Sequence, residues 1–184
     1  MIIRCINDDE KAKEMMYKTF YGYLMGITIR YMGTEYGAAE ELVNDSFIKI
    51  FKNLHVFIIP DDKETLLKIF KGWISKITSR TVIDFLRTNK NQSYTDDLNE
   101  DISHTDHVTV LDKMNVYDIL NLLNELPQLQ RIVFNMYEME GFNHEEIGVM
   151  LNISKSHSRV NLARAKNKLR LLYKESLKGA NYGR

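Results

Sequence analysis

The residues with the clearest chemical potential form a cationic segment, KSHSRVNLARAKNKLRLLYKE, at positions 155–175. Helical spacing predicts one buried face, made of Ser158, Leu162, Ala165, Leu169 and Leu172. The remaining faces carry cations that include Lys155, Arg159, Arg164, Lys166, Lys168 and Arg170. A helix of this kind fits the major groove of DNA, with its first turn at base edges and its cations near phosphates.

The segment before this helix has the spacing of a helix-turn-helix. Asn143 and Glu146 form the pattern of a capping box, and Gly148 leaves room for close packing. Asn152 stands where the turn needs a left-handed residue, and Ser154 is a good N-cap for the cationic helix. A solvated charged face is the ordinary alternative for a basic helix. The spacing and the absence of acids before Glu175 favour DNA binding.

Residues suited to catalysis or metal binding are scattered. The sequence has one cysteine, Cys5, and five histidines, His55, His104, His107, His144 and His157. His104 and His107, near Asp101 and Asp106, could hold a metal weakly, but a flexible polar segment is the simpler interpretation. A glycine-rich phosphate loop is absent from the sequence. We therefore expect no catalytic residue, no cofactor and no metal.

Charge is unevenly distributed along a chain of 184 residues whose formal net charge is zero. Residues 63–90 hold seven Lys/Arg and two Asp/Glu, a net of +5, and residues 142–184 hold nine and three, a net of +6. Residues 91–126 hold one and eight, a net of −7. This pattern predicts two polyanion-binding surfaces separated by an acidic segment. A single cysteine, with neither a signal peptide nor a membrane span, predicts a cytoplasmic protein.

The predicted architecture is all-α, with two small helical domains. Residues 91–112 form a flexible acidic linker between an N-terminal domain, 1–90, and a C-terminal domain, 113–184, that contains the helix-turn-helix. The N-terminal helices are predicted near 9–31, 38–54 and 64–90, the last beginning with a capping box from Asp61 to Glu64. The C-terminal domain begins with a helix near 114–126, and Pro127 fits the first turn of the next.

Two N-terminal faces could bind partners. The second predicted helix carries acids and amides beside apolar residues, which suits docking on a basic coiled coil, although a solvated face is the commoner explanation. The third interleaves Lys71, Lys76 and Arg80 with aromatic residues, the combination that binds single strands. We expect Trp73 to be core. Phe70 and the loop 56–62 are the better candidates to hold an unstacked base.

Three segments occur in the order and at the spacing found in the sigma factors of bacterial RNA polymerase. They are AAEELVNDSFIKIFKNL (38–54), FKGWISKITSRTVIDFLRTNK (70–90) and the stretch from LLNELPQ to KNKLR (122–170). The chain is most similar to the small two-domain, extracytoplasmic-function group. The resemblance implies a sigma region 2-like domain at 1–90 and a region 4-like domain at 113–184.

The resemblance also implies three sets of contacts. The clamp of the polymerase would be bound by Glu40, Glu41, Asn44, Asp45, Phe47 and Phe51. The minus-ten element would be recognised and melted by Phe70, Lys71, Lys76, Arg80, Asp84 and Arg87. The minus-thirty-five element would be read by Lys155, Ser156, His157, Arg159, Asn161, Arg164 and Lys168. Of these, Arg159 is the expected guanine contact, and Lys155, Arg164 and Lys168 are expected at phosphates.

The implied function is that of a transcription initiation factor rather than an enzyme. Its partners would be core RNA polymerase, through the beta-prime clamp and the beta flap, promoter DNA and an anti-sigma factor, and the free protein would be a monomer. The chain departs from the family pattern at Arg80, where Asn is common, and at Ser158, where a β-branched apolar residue is common. A stand-alone helix-turn-helix regulator is the alternative. It would bind its operator tightly without polymerase.

Overall fold

The computed structural model describes residues 1–33, 36–89 and 116–181, and every regular element in these ranges is helical. The all-α fold class predicted from the sequence is therefore confirmed. The chain divides into two compact units, Met1–Lys90 and Asn91–Arg184. The predicted linker, 91–112, with its weak candidate metal ligands, lies outside the described residues. Within the described ranges, no helix is long and apolar enough to cross a membrane.

The first unit is a three-helix core with a short helix added at the N terminus. Its helices are α1 (Ile2–Ile6), α2 (Glu10–Met32), α3 (Ala39–Asn53) and α4 (Lys63–Asn89). Helices α2, α3 and α4 pack against one another in all three pairs. Helix α1 packs on α2 and on the 3₁₀ turn Leu54–Val56 that follows α3.

Helix α2 illustrates how the sequence determines which residues are buried and where a helix begins and ends. Helical periodicity puts four apolar residues on one face of α2, and all four are buried: Met16, Phe20, Leu24 and Ile27. The Asp9 carboxylate accepts a hydrogen bond from the Ala12 amide at 3.0 Å and so caps the first turn. Gly33, with a φ of 69°, ends the helix in a conformation that other residues adopt reluctantly.

The start of α4 differs from the sequence prediction. The carboxylate of Asp62, not that of Asp61, accepts a hydrogen bond from the Thr65 amide at 3.0 Å. The Thr65 hydroxyl donates to the same carboxylate. An N-cap bonds to the amide three residues later, and Thr65 offers two donors to Asp62. The helix therefore begins at Lys63, one position after Asp62.

The second unit packs three shorter helices against one long helix. They are α5 (Val116–Asn124), α6 (Gln128–Phe134), α7 (His144–Leu151) and the long α8 (Lys155–Asn181). A π-helical turn, Asn135–Met139, extends α6, and each of α5, α6 and α7 contacts α8. One core cluster joins Leu123 and Leu126 to Ala165 of α8. Pro127 is the N-cap of α6, one position before its predicted place in the first turn.

Helices α7 and α8 form the predicted helix-turn-helix. Asn143 and Glu146 make both hydrogen bonds of the capping box, and Ser154 accepts from the His157 amide at 3.0 Å. Asn152 has the left-handed conformation, with φ 54° and ψ 47°. Gly148 is needed for the turn itself, because a Cβ there would lie 2.8 Å from the Ile153 carbonyl oxygen. The small residue thus admits the turn backbone, whereas the sequence suggested that it admits a second helix.

Candidate nucleic-acid and protein interfaces

Helix α3 presents an exposed polar surface, here called the α3 surface, made of Glu40, Glu41, Asn44 and Asp45. These four side chains are accessible, as the sequence predicted. Phe51 beside them is half-buried. Phe47 is only 3% exposed, because it faces α2 and packs on the Tyr17 ring, with 4.6 Å between ring centroids. Phe47 thus supports the surface from beneath, and its contact with the polymerase stays a prediction.

Two tyrosines of α2 adjoin the α3 surface, and sequence reasoning missed both. The Tyr17 hydroxyl donates to the Asn44 side-chain oxygen at 2.9 Å, and the Tyr17 and Tyr21 ring centroids are 5.4 Å apart. Loss of hydration raises the pKa of Tyr21, and the negative charge of Glu40 raises it further. Both tyrosines are half-buried. The only sequence signal was their spacing of four residues, which puts them on one face of α2.

The basic face of α4 exposes, fully or partly, five of the six residues predicted at the minus-ten element: Lys71, Lys76, Arg80, Asp84 and Arg87. Asp84 lies 3.5 Å from the Arg87 guanidinium and partly offsets its charge. The Lys71 ammonium lies 5.4 Å from the centre of the Tyr23 ring. Since residues 63–90 contain only two acids, this face keeps a positive character suited to a phosphate backbone.

The sixth residue, Phe70, is buried, and its contact with the minus-ten element stays a prediction. Its side chain is 2% exposed, with its ring centroid 5.3 Å from that of Phe20 and 5.2 Å from that of Phe57. Trp73, which the sequence suggested as core, is the half-buried member of this aromatic cluster. Phe70 therefore anchors this aromatic cluster, and Trp73 is its accessible ring.

The loop before α4 presents aliphatic side chains to solvent. Val56 is 58% exposed and Ile58 is 86% exposed, while Phe57 between them is buried against Trp73 with 5.2 Å between ring centroids. An anchored loop with exposed apolar residues on both sides of the anchor can receive a flat, weakly hydrated group such as an unstacked base. The loop and the basic face of α4 belong to the same unit and are joined by this aromatic cluster.

Helix α8 presents most of its predicted DNA-reading residues. Lys155, Ser156, Arg159 and Lys168 are exposed, and His157 and Arg164 are half-buried. Asn161 is 4% exposed, and its amide donates to the His157 carbonyl at 3.0 Å. Its contact with a base stays a prediction. The Lys155 ammonium pairs with the Glu145 carboxylate of α7. That pair joins the first turns of the two helices.

A buried polar pair also joins α7 to α8. Ser158 is fully buried, and its hydroxyl lies 2.9 Å from the Nδ1 atom of His144. The His144 ring stacks on the Tyr137 ring, with centroids 4.5 Å apart. Partial burial lowers the pKa of His144, and the charges of Arg159, Lys155 and Lys166 lower it further. The polar Ser158 in an apolar stripe is thus satisfied by a partner fourteen residues away.

Residues 117–169 match the protein family described as "Sigma-70, region 4". The chain is 22% identical over 166 residues to the ECF RNA polymerase sigma factor SigM of Bacillus subtilis (strain 168), covering 89% of this chain and 94% of SigM. These matches support a sigma factor of the extracytoplasmic-function group. Because the match includes the first unit as well as the helix-turn-helix, a stand-alone regulator is not favoured.

A second relative agrees with this interpretation, and a solved structure has a similar fold. The chain is 26% identical over 139 residues to the RNA polymerase sigma factor SigZ of Bacillus subtilis (strain 168), covering 72% of this chain and 71% of SigZ. Its fold is similar to that of the sigma factor RpoE from Bartonella quintana, solved in complex with the anti-sigma factor NepR. That similarity has a TM-score of 0.50 at 18% identity and covers 89% of this chain and 98% of RpoE.

Proposed function

We propose that this sigma factor binds core RNA polymerase through its first unit and directs it to promoters with two spaced elements. Residues 1–90 act as the region 2-like domain and residues 113–184 as the region 4-like domain. The observation that carries the proposal is a helix-turn-helix with a cationic second helix, in a chain similar over 89% of its length to a sigma factor. The protein acts in the cytoplasm and catalyses no reaction by itself.

The α3 surface, with Phe51 at its edge, binds the beta-prime clamp of the polymerase. Three carboxylates on adjacent turns attract a basic partner and orient it, while apolar area at the edge adds affinity. Asn44, within this group of acids, is the member that can donate a hydrogen bond as well as accept one. The charges make association specific and fast. The polar and apolar contacts together stabilise the complex once it has formed.

The basic face of α4 and the loop 56–62 bind and open the minus-ten element. Lys71, Lys76, Arg80 and Arg87 follow the backbone of a single strand. An unpaired base enters beside the exposed Val56 and Ile58, and its capture offsets the few kcal/mol needed to unpair it. Promoter opening here is a matter of binding energy, with no covalent step.

The first turns of α8 read the minus-thirty-five element in the major groove. Arg159 is exposed and has the planar fork that suits guanine, and Lys155, Ser156 and His157 lie in the same part of the helix. Arg164 and Lys168, further along, bind phosphates and set the register of the helix on DNA. The second unit also contacts the beta flap of the polymerase, which fixes its distance from the first unit on the promoter.

An anti-sigma factor is proposed as a further partner. Similarity of fold to a sigma factor solved with its anti-sigma factor supports this proposal. A protein of this kind would cover the α3 surface and the DNA-binding faces and keep the sigma factor inactive. When released, the sigma factor would be a monomer that exchanges one partner for another.

The test is the affinity of purified protein for core RNA polymerase. We expect Asn44→Ala combined with Asp45→Ala to weaken binding by at least about tenfold, because both groups lie at the centre of the proposed contact. The matched control is Glu14→Ala, which removes one exposed carboxylate from α2. Glu14→Ala should bind core as the wild type does. Failure of the wild type to bind, or equal binding by the double variant, would contradict the proposal.

A further inference from the structure

The hydrogen bond between Tyr17 and Asn44 joins the α3 surface to a helix that carries none of the predicted contacts. We propose that Tyr17 is a positioning residue, which fixes the Asn44 amide so that its N–H groups point toward the polymerase. The proposal rests on the proposed function, because it concerns the same surface. It assigns a role to α2 and identifies the chemistry that Asn44 recognises.

The direction of the hydrogen bond determines what Asn44 can offer a partner. The Tyr17 hydroxyl donates to the side-chain oxygen of Asn44 at 2.9 Å. With its oxygen engaged, the amide presents its two N–H donors outward. Its exposed neighbours Glu40, Glu41 and Asp45 are carboxylates, which accept hydrogen bonds when ionised. Asn44 is therefore a donor among acceptors, and the polymerase group opposite it must be a hydrogen-bond acceptor, such as a carbonyl, carboxylate or hydroxyl oxygen.

The Tyr17 ring is held in place by aromatic neighbours on both helices. Its centroid lies 4.6 Å from that of Phe47 and 5.4 Å from that of Tyr21. Phe47 is itself buried and lies 5.9 Å from Phe51. These contacts fix the ring independently of its hydroxyl. Tyr17→Phe therefore keeps the packing and removes one hydroxyl group, which separates positioning from folding.

The experiment is a double-mutant cycle on affinity for core RNA polymerase, using the full chain. We expect Tyr17→Phe to weaken binding by about two- to tenfold, the range of one neutral hydrogen bond. In the Asn44→Ala background the same change should have no further effect, because no amide remains to be oriented. The matched control, Tyr173→Phe in α8, should leave core affinity unchanged.

Salt dependence gives a second readout that a merely structural role would not produce. The loss caused by Tyr17→Phe should be the same at low and high salt, since the bond is neutral, whereas the loss caused by Asp45→Ala should shrink at high salt. Equal binding by Tyr17→Phe and wild type, or additive effects of Tyr17→Phe and Asn44→Ala, would overturn the positioning role. If Asn44→Ala also binds normally, the proposed contact at Asn44 fails with it.

Discussion

At the scale of single residues, Ser158 and His144 show how a polar side chain is accommodated inside a helix-turn-helix. Ser158 is fully buried in the stripe of α8 that packs on its neighbours, where an apolar side chain is the simpler choice. Its hydroxyl meets His144 at the start of α7, so the two polar atoms satisfy each other. The pair adds a specific link between the two helices.

The same pair predicts a pH dependence of stability. Because the folded chain lowers the pKa of His144, the unfolded state takes up the proton first as pH falls. The contribution of His144 to stability is therefore complete above pH about 6.5 and is lost as pH falls from there through the folded pKa. The melting temperature of the wild type, measured by circular dichroism, should fall as the pH is lowered from about 7.5 to about 5.5.

His144→Gln provides the comparison, since its amide can hydrogen-bond to Ser158 but does not titrate. Its melting temperature should change less over the same pH interval. An equal decline in the variant and the wild type would show that other groups cause the effect.

The sequence did not indicate the burial of three residues that it assigned to partner contacts. Phe47, Phe70 and Asn161 each lie on a predicted functional helix, and each is buried. Periodicity identifies the inward side of a helix but not which residues at its edge are covered, because that depends on neighbouring helices. Trp73 illustrates the converse: the sequence predicts it as core, yet Phe57 and Phe70 fill the interior and leave it half-buried.

At the scale of elements, the turn between α7 and α8 depends on Gly148. A Cβ at this position would lie 2.8 Å from the Ile153 carbonyl oxygen, and a backbone atom cannot rotate away as a side chain does. Gly148→Ala should therefore lower the free energy of unfolding of the second unit by about 1–3 kcal/mol. Chemical denaturation would measure the change.

Gly22→Ala is the matched control within helix α2. A Cβ there meets nothing within 4 Å, and the position has ordinary helical geometry. This change should leave stability unaltered or raise it by up to about 1 kcal/mol. A loss of stability at Gly22 as large as that at Gly148 would show that the turn contact is not the cause.

Local signals account for how well the helix-turn-helix was predicted. Asn143, Asn152 and Ser154 act within three residues of their own positions, so the sequence contains nearly all the information needed. The contact between Tyr17 and Asn44 spans twenty-seven residues and two helices. No local pattern encodes such a contact, because it exists only after α2 and α3 have packed.

At the scale of the whole molecule, the proposed function requires both units. The first unit has both the α3 surface and the basic face of α4, and the second has the cationic helix α8. Two weak DNA-binding sites in one chain bind DNA far more tightly when a partner holds them at the right spacing. On this account polymerase supplies the geometry, and neither unit needs high affinity for DNA by itself.

The central claim is tested most directly by transcription on randomised DNA. Core RNA polymerase would be supplied with wild-type protein, with Asn44→Ala plus Asp45→Ala, or with no addition, and the transcripts would be sequenced. The account predicts new start sites with wild type, each preceded by two motifs at constant spacing, and their loss with the double variant. An absence of new starts with wild type, together with tight DNA binding by the protein alone, would contradict the account and favour a stand-alone regulator.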